Sequence, residues 1–353
     1  MVIVYFCNAL TRTMLSTSEY ILAIESSCDD TAAAVLHNQT VLSNCIANQA
    51  IHEAYGGVVP ELASRAHQSK IVPVVQRALA EANIDKKQLT AIAYTQGPGL
   101  LGSLLVGGSF AKSLALALNL PLVPVHHMQG HLLVHFIEQE GIPFPKFPFL
   151  GVTLSGGHTQ LVKVNDYFDM ELLGTTLDDA IGEAFDKCGK RMGLPYPAGP
   201  HIDRLAQEGN PHAFSFPIPN LEGYQVSYSG VKTAFTNFLQ NNLNQNSNFI
   251  NEHIHDLCAS LQFTLIQIIL IKIEQAAIAE GLNQIVIGGG VAANSELRKQ
   301  LTQKANDIQR EVFLPPLKYT TDNAAMIGIS AYFKLTQNKT GNLSDTSNAR
   351  LKF

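Results

Sequence analysis

Short apolar runs that end in polar or glycine-rich turns recur along the chain, and they fall into two sets. In the first set, strands are predicted at residues 20–25, 32–36, 41–48, 91–95 and 121–125. The first strand ends in an acidic turn, Ser26 to Thr31, and the fourth runs into Gln96-Gly97-Pro98-Gly99 and an apolar helix that ends near residue 119. Residues 61–83 predict another helix, with a kink or break at Pro73.

The second set repeats this order. Strands are predicted at residues 149–154, 159–164, 170–174 and 284–287. The first ends in the turn Ser155-Gly156-Gly157-His158, and the last runs into Gly288-Gly289-Gly290 and a helix from about Asn294. We interpret the repeated order of strand, glycine loop and helix as an internal duplication of two α/β lobes that face a cleft.

The Gly- and Pro-rich stretch at residues 139–148 is the candidate boundary between the lobes. The expected organisation is an N-terminal lobe at 20–147, to which the final helix 323–336 returns, a C-terminal lobe at 148–322, and a polar, mobile tail at 337–353. Residues 1–19 have no basic residue ahead of their apolar run, so we expect a disordered leader, or a start codon upstream of the true one, rather than a signal peptide.

Helices are also predicted at residues 178–192, 201–208, 231–246, 250–281 and 324–335, with a short strand at 312–314. Asp178 and Asp179 fall in the first turn of the 178–192 helix, an arrangement that suits the helix dipole. Residues 320–323 can cap the last helix.

Composition narrows the class of protein. With 353 residues, 46% apolar and 15% charged, the chain predicts a soluble protein of two domains with a large interior. Its net charge of −5 gives no overall attraction to nucleic acid. The five cysteines contain no C-x-x-C pair, which favours reduced thiols and a cytoplasmic location. The apolar runs at 100–120 and 261–273 are interrupted by Lys112 and Lys272, so we expect core helices and no membrane span.

The candidate chemistry begins at His126-His127-Met128-Gln129-Gly130-His131. If this segment opens a helix, His127 and His131 lie one turn apart on one face and form a chelating pair. Surface or capping histidines are the alternative interpretation. Asp322 is the expected third ligand, although Asp is also common as a helix cap. Two His and one Asp leave open positions on a metal ion, as in sites where substrate or water binds.

Three turns offer further candidates. The turns at Ser155 to His158 and at Gly288 to Gly290 let backbone N–H groups approach a phosphate, but neither matches a known nucleotide fingerprint, and a plain tight turn explains each equally well. Together, facing one cleft, they favour a nucleotide ligand. Asp29 and Asp30 can orient a metal or phosphate group or accept a proton; an Asx turn is the equal alternative.

The motifs, taken in order, resemble those of the bacterial TsaD family over about residues 20–335. They are IESSCDDT (24–31), YGGVVPELASR (55–65), QGPGLLG (96–102), the histidine segment 126–131, SGGHTQ (155–160), DDAIGEAFDK (178–187), residues 196–200, GGGVAAN (288–294) and TDNAAM (321–326). The family was formerly labelled an O-sialoglycoprotein endopeptidase.

The resemblance implies a duplicated two-lobed actin-like, Hsp70-like fold. It implies transfer of threonylcarbamoyl from threonylcarbamoyl-adenylate to the exocyclic amine of the adenosine 3′ of the anticodon in tRNAs that read codons beginning with A, with release of AMP. It also implies one divalent metal ion per subunit, with iron favoured and zinc as the alternative, held by His127, His131 and Asp322, with Asp29 as the catalytic acidic residue. The substrate contacts implied by the motifs are Thr153, Leu154, Ser155, Gly156, Gly157, Asp186, Gly199, Asp203 and Asn294. The implied partners are tRNA, a TsaB-like paralogue, a TsaE-like ATPase and a TsaC-like synthase that supplies the adenylate.

The chain departs from the family pattern at three places. Asp30 replaces a Glu, which shortens the reach of that carboxylate, and Thr153 stands where archaeal and eukaryotic relatives have a metal-binding Tyr. Residues 1–19 have no counterpart in the family core, and only this leader resembles a mitochondrial relative. Two other functions stay open: a metallopeptidase, although the chain lacks H-E-x-x-H, and a sugar-kinase-like or Hsp70-like ATPase.

Overall fold

Two five-stranded mixed sheets form the framework of the protein in a computed structural model that describes residues 18–47 and 55–353. The first sheet contains β1 (Tyr20–Glu25), β2 (Thr31–His37), β3 (Thr40–Ala47), β4 (Ala91–Gly97) and β5 (Leu122–His126). The second contains β6 (Phe149–Leu154), β7 (Thr159–Asp166), β8 (Asp169–Thr175), β9 (Gln284–Gly288) and β10 (Glu311–Phe313). The strand predicted at 41–48 therefore ends at Ala47, and Asn48 lies outside the described residues, as do residues 1–17 of the expected leader.

The two sheets share one topology. The order in the first is β3-β2-β1-β4-β5, with β1 antiparallel to β2 and parallel to β4. The order in the second is β8-β7-β6-β9-β10, with β6 antiparallel to β7 and parallel to β9. The predicted internal duplication is confirmed, because the second sheet repeats both the order and the sense of every pairing.

The helices are α1 (Pro60–Glu81), α2 (Leu101–Leu118), α3 (His127–Leu133), α4 (Ile181–Arg191), α5 (Ala198–Ala206), α6 (Ser229–Leu243), α7 (Phe249–Ala279), α8 (Ser295–Asp307) and α9 (Ala324–Thr336). Helices α1 and α2 cover one face of the first sheet. Helices α3 and α9 lie between the sheets, in a core that contains Ile21 from the first sheet, Phe149 from the second and Ile329 from α9. Helices α4 to α8 pack on the far side of the second sheet.

This layering explains why β1 and β6 are apolar at nearly every position. Five of the six residues of β1 and all six of β6 are buried, as expected for central strands that are covered by helices on both faces. The final helix α9 packs against β1, β2 and β5 of the first sheet. The lobe limits that we expected at 20–147 and 148–322 stay predictions.

Helix α1 corrects the expectation of a kink or break at Pro73, because it is continuous through that residue. Pro73 is exposed, so the carbonyl group that the ring leaves without a partner can be hydrated. Ile71, Val74 and Val75 are buried on either side and hold the two halves of the helix on the sheet.

The acidic start predicted for the 178–192 helix is also wrong, since α4 begins only at Ile181. Asp178 instead accepts the backbone N–H groups of Tyr228 and Ser229, at the start of α6, at 2.8 and 3.2 Å. Asp179 forms ion pairs with Lys187 and Lys232. Both carboxylates thus bond to residues at the start of α6, about 50 residues away, which local sequence does not reveal.

The tail at 337–353 was expected to be mobile, and this expectation is wrong. Gly341 pairs with Leu122 of β5, and its N–H donates to the Leu122 carbonyl at 2.7 Å. Asn348 N–H donates to the Gln96 carbonyl at 2.9 Å, and the Phe353 ring stacks on His126 with centroids 5.0 Å apart. The tail therefore runs along the open edge of the first sheet towards the histidine segment.

Two helices, α2 and α7, are long and apolar enough to cross a membrane by length and composition. Within the fold, α2 packs on α1 and β4, and two thirds of the apolar window of α7 is buried. The burial of α7 agrees with the expectation of a core helix, whereas only one third of the apolar window of α2 is buried, so α2 is a partly exposed helix.

Candidate functional site

The histidine pair lies where β5 ends and α3 begins. His127 is the first residue of α3 and His131 follows one turn later, so their rings meet edge to face with centroids 4.7 Å apart. His126 is outside the pair and caps the helix, accepting the Gln129 N–H at 3.4 Å. His127 and His131 are only 6% and 0% exposed. The alternative of surface histidines is therefore excluded.

Asp322 lies beside this pair, at the turn before α9. Asn323, not Asp322, caps α9, because its side chain accepts the Met326 N–H at 3.0 Å. The Asp322 carboxylate is thus available to the histidines: its Oδ1 lies 3.4 Å from His127 Nε2 and 3.3 Å from His131 Nε2. The three residues form a group whose ligand atoms all lie within 4.8 Å of one another.

The donor set fits a metal ion. Two ligand atoms each ~2.1 Å from a tetrahedral ion lie ~3.4 Å apart, which matches the spacing of the Asp322 oxygen from both imidazole nitrogens. Neither ring nitrogen of His131 has a hydrogen-bond partner among the described residues, although the ring is fully buried. A buried polar atom without a partner is costly, and a bound cation would satisfy it. These residues can therefore hold a metal ion.

The charges around His127, His131 and Asp322 favour a positive charge at this position. Burial favours neutral His127, but the carboxylates of Glu25 and Asp322 outweigh burial and raise its pKa to about 10. Burial also favours a protonated Asp322, yet His127 and His131 hold the pKa of that carboxyl far below its usual range. The pKa of His131 is lowered, chiefly by burial, so this imidazole stays neutral and keeps a lone pair for a metal.

The acidic turn with Asp29 and Asp30 is held in place by His67, a buried residue of α1 that sequence reasoning missed. His67 Nδ1 lies 2.8 Å from Thr31 Oγ1, and its Nε2 lies 2.9 Å from the Cys28 carbonyl. Burial, together with the charges of Asp29 and then Asp322, raises the pKa of Asp30 to about 7. The turn thus lies near enough to Asp322 for their charges to interact.

The glycine turn after β6 supplies the opposite side of the cleft. Ser155 closes the turn, since its N–H donates to the His158 carbonyl at 2.8 Å and its hydroxyl accepts the His158 N–H at 3.0 Å. Gly156 and Gly157 are exposed, and a Cβ on either would meet nothing within 4 Å. Their backbone is therefore open to a ligand. Thr153 and Leu154 are fully buried in β6, so neither residue is exposed to the cleft in this structure.

The other glycine loop, Gly288 to Gly290, is tied to the metal helix. A Cβ on Gly288 would collide with the carbonyl of His131, and one on Gly289, whose φ is +94°, would collide with the carbonyl of Leu154. Only glycine permits this approach. The loop therefore brings the end of the second sheet into contact with α3.

The other predicted substrate residues line the same side but also carry structural bonds. Asp186 accepts the Ala198 N–H at 2.7 Å, beside Gly199, and joins α4 to α5. Asp203 accepts the Ser295 N–H at 3.0 Å and joins α5 to α8. Asn294 caps α8 through the Leu297 N–H at 2.9 Å and donates to Gln262 at 2.7 Å. Burial, then the charges of Glu183 and Asp29, raise the pKa of Asp186, so Asp29 lies near enough to Asp186 for their charges to interact. Substrate binding by these residues stays a prediction.

Glu25 is the second residue that sequence reasoning missed. It is fully buried, and its Oε2 lies 3.1 Å from His127 Nδ1. Burial alone would raise the pKa of Glu25, but His127 lowers it.

Solved structures with the same architecture support the fold. The HypF protein of T. kodakarensis superposes with a TM-score of 0.61 at 16% identity, over 91% of this chain and 48% of that one. Component A of the (R)-2-hydroxyglutaryl-CoA dehydratase of Acidaminococcus fermentans superposes with a TM-score of 0.54 at 12% identity, over 90% and 100% of the two chains. The chain thus has the duplicated actin-like fold that the sequence predicted.

Sequence comparisons identify the family. Residues 40–329 match the family model described as TsaD, tRNA N6-adenosine threonylcarbamoyltransferase. A protein of that name from Christiangramia forsetii is 56% identical over 333 residues, which cover 94% of this chain and 98% of that protein. Another from Riemerella anatipestifer is 54% identical, over 94% and 97%. The chain therefore belongs to the TsaD family of tRNA N6-adenosine threonylcarbamoyltransferases.

Proposed function

We propose that this enzyme transfers the threonylcarbamoyl group from threonylcarbamoyl-adenylate to the exocyclic amine of the adenosine 3′ of the anticodon, in tRNAs that read codons beginning with A. The group formed by the buried His127 and His131 with the partly exposed Asp322, set between an acidic turn and an open glycine turn in a chain of this family, is the observation that carries the proposal. Such a cleft offers one place for a metal ion, one for a phosphate and one for a proton acceptor.

The proposed cofactor is one divalent ion per subunit, iron rather than zinc, on His127, His131 and Asp322. Two His and one carboxylate with open positions suit non-haem iron as well as zinc. When bound, the ion acts as a Lewis acid that stabilises negative charge on substrate oxygens. No Tyr stands at Thr153, so three protein ligands are expected.

The glycine turn is the proposed site for the adenylate, with Thr153 to Gly157, Asp186, Gly199, Asp203 and Asn294 as contacts. Gly156 and Gly157 are exposed and carry no side chain of their own, so their main chain can approach the phosphate and offer N–H donors to it. Their donors would hold the leaving group in place and stabilise the charge that it gains.

In the proposed reaction, the adenosine amine attacks the carbamoyl carbon of the adenylate. A new C–N bond forms, the bond from that carbon to the phosphate oxygen breaks, and AMP leaves with the electron pair. The attacking nitrogen then loses a proton, and Asp29 is the proposed acceptor. The half-exposed position of Asp29 on the acidic turn, near Asp186, supports this role.

Because the family acts on tRNA, the acidic chain needs a local surface or a partner that attracts it. Of the basic residues near the end of α4, Lys187 is engaged by Asp179 and Glu183 at 2.6 and 2.8 Å, while Lys190 and Arg191 are exposed. We propose that a TsaB-like paralogue and a TsaE-like ATPase complete the tRNA site, that a TsaC-like synthase supplies the adenylate, and that all act in the cytoplasm.

The test replaces His131 by Ala and compares it with His212→Ala, an exposed histidine far from α3 in sequence. We expect the His131 variant to lose most of its metal and to form at least ~100-fold less modified nucleoside, because one of three protein ligands is gone. Metal content is measured by elemental analysis, and product by mass spectrometry of digested tRNA after incubation with the adenylate and the partner proteins. Normal metal content and product in a folded His131 variant would contradict the proposal.

A further inference from the structure

Glu25 lies in an unusual place for a carboxylate. It is the last residue of β1, the central strand of the first sheet, and it is 0% exposed. Burying a charge is costly unless the charge is paired and hydrogen bonded. The surroundings of Glu25 must therefore compensate for the lost hydration.

Three donors surround this carboxylate. Oε1 accepts the backbone N–H of Ser27 at 2.5 Å, and Oε2 accepts the hydroxyl of Thr95 at 2.5 Å. The same Oε2 lies 3.1 Å from Nδ1 of His127. Thr95 lies on β4, which runs parallel to β1, so two adjacent strand ends fix the carboxylate beside the histidine.

The orientation of the His127 ring follows from this contact. When a cation displaces the proton on Nε2, an imidazole whose Nδ1–H donates to a carboxylate binds that cation through the Nε2 lone pair. In His127 that atom lies on the side of Asp322, 3.4 Å from its Oδ1. The two ends of the ring thus face two different carboxylates, one in the protein interior and one at the proposed cation position.

We propose that Glu25 is a positioning residue for the metal site, which holds His127 in the Nδ1–H tautomer and aims its Nε2 at the cation. The proposal rests on the proposed metal site at His127, His131 and Asp322. A carboxylate behind a metal-bound histidine fixes the ring and makes it a more basic ligand. His131 has no such partner among the described residues, so the two histidine ligands differ in how they are held.

Ser27 is the competing candidate for this role, because its Oγ also lies 3.1 Å from His127 Nδ1. A hydroxyl is neutral and rotates, so it fixes the tautomer less firmly than a carboxylate does. A charge-assisted hydrogen bond is roughly twice as strong as a neutral one. Glu25 should therefore dominate, and the two residues can be separated by substitution.

The test uses full-length protein and Co²⁺ or Zn²⁺ as the probe, with affinity measured by competition against a chelator. We expect Glu25→Gln to bind the probe ~10- to 100-fold more weakly, the usual effect of losing such a partner. Ser27→Ala keeps its backbone donor to Glu25, and its affinity should stay within about threefold of wild type. Equal affinity in wild type and folded Glu25→Gln, or a larger loss in Ser27→Ala, would overturn the proposal.

A second measurement uses wild-type protein, so it tests the role of Glu25 even if Glu25→Gln does not fold. In ¹⁵N-labelled, Zn²⁺-loaded wild type, histidine ¹⁵N shifts report which nitrogen carries the proton. We expect His127 to have Nδ1–H and metal-bound Nε2, and the reverse tautomer would refute the role of Glu25. The proposed metal site fails separately, if wild type and His131→Ala bind the probe equally weakly. If His131→Ala alone loses the probe, the metal site stands and only the role of Glu25 is wrong.

Discussion

At the carboxyl ends of its parallel strands, the first sheet presents titratable groups: Glu25 as the last residue of β1, then Asp29 and Asp30, and His127 after β5. The matching ends of the second sheet present glycine: Gly156 and Gly157 near the end of β6, and Gly288 to Gly290 after β9. Strand order and pairing are the same in both. One duplicated framework has thus been given acid, base and metal-ligand chemistry on one side and main-chain donors on the other.

Because of this difference, the strand ends of the two sheets can act on different parts of one substrate. Ligands of open α/β sheets bind at the carboxyl ends of the strands, so both sets of groups face the same crevice. The close approach of Gly288 to His131 fixes the position of the second set of groups relative to the first. Changes on the first side should impair chemistry, and changes on the second should impair adenylate binding.

The largest expected effect of breaking this division comes from Asp29→Asn on the first side. The amide keeps the size of the side chain but cannot accept the proton, so kcat should fall ~10² to 10⁴-fold with little change in KM. The rate is measured from modified nucleoside by mass spectrometry at matched metal content. A loss below ~10-fold would indicate that Asp29 positions the substrate, and an unchanged rate would make it a structural turn residue.

A smaller effect is expected on the second side, from Gly182→Ala in α4. A Cβ there would lie 2.7 Å from the Ser155 carbonyl and 2.9 Å from Gly156 Cα, so the glycine turn must shift. We expect KM for the adenylate to rise ~10-fold, because a displacement well under ~1 Å already weakens positioned contacts. Metal content should not change.

Gly230→Ala in α6 is the matched control, since a Cβ there meets nothing within 4 Å. Its KM should equal that of wild type. If Gly182→Ala also lost metal, the two sides of the cleft would not be separable in function.

Sequence predicted the parts of this site that depend on local spacing. The helical period places His127 and His131 on one face, and alternation of apolar runs with turns predicted the duplicated sheets. Asp322 was predicted as a ligand, and Asn323 as part of a capping segment, although sequence did not say which of the two caps α9.

The missed residues depend on partners that are distant in sequence. Glu25 looks like the polar end of a strand, and only the fold reveals Thr95 and His127 around it, 70 and 102 residues away. His67 lies in a helix of low amphipathicity, where nothing indicates a contact with the acidic turn. The polar tail suggested mobility because composition does not report backbone pairing with β5.

The smallest effect is expected from Asp30→Asn. This variant tests how much the acidic turn lowers the stability of the protein, apart from any role of the turn in the reaction. Because the folded-state pKa of Asp30 is raised from 3.8 to about 7, folding favours the protonated acid. The unfolded chain therefore binds fewer protons than the folded one between these two values, and stability from this group is full at low pH and falls as pH rises towards 7. Asp30→Asn removes this dependence. In metal-free protein, it should match wild type near the lower value and exceed it by about 1–2 kcal/mol above the upper one, after allowance for screening.

Urea unfolding of metal-free wild type and Asp30→Asn at several pH values measures this difference. Asp169→Asn, which replaces an exposed carboxylate at the β7–β8 turn of the second sheet, is the control variant. The two positions differ in their surroundings, because Asp30 is half-buried beside Asp29 and Asp322, whereas Asp169 is exposed to solvent. If the plot of unfolding free energy against pH for Asp30→Asn ran parallel to that of wild type, the negative charges of Asp29 and Asp322 would not oppose ionisation of Asp30. The acidic turn would then lower the stability of the protein no more than the glycine turn opposite it.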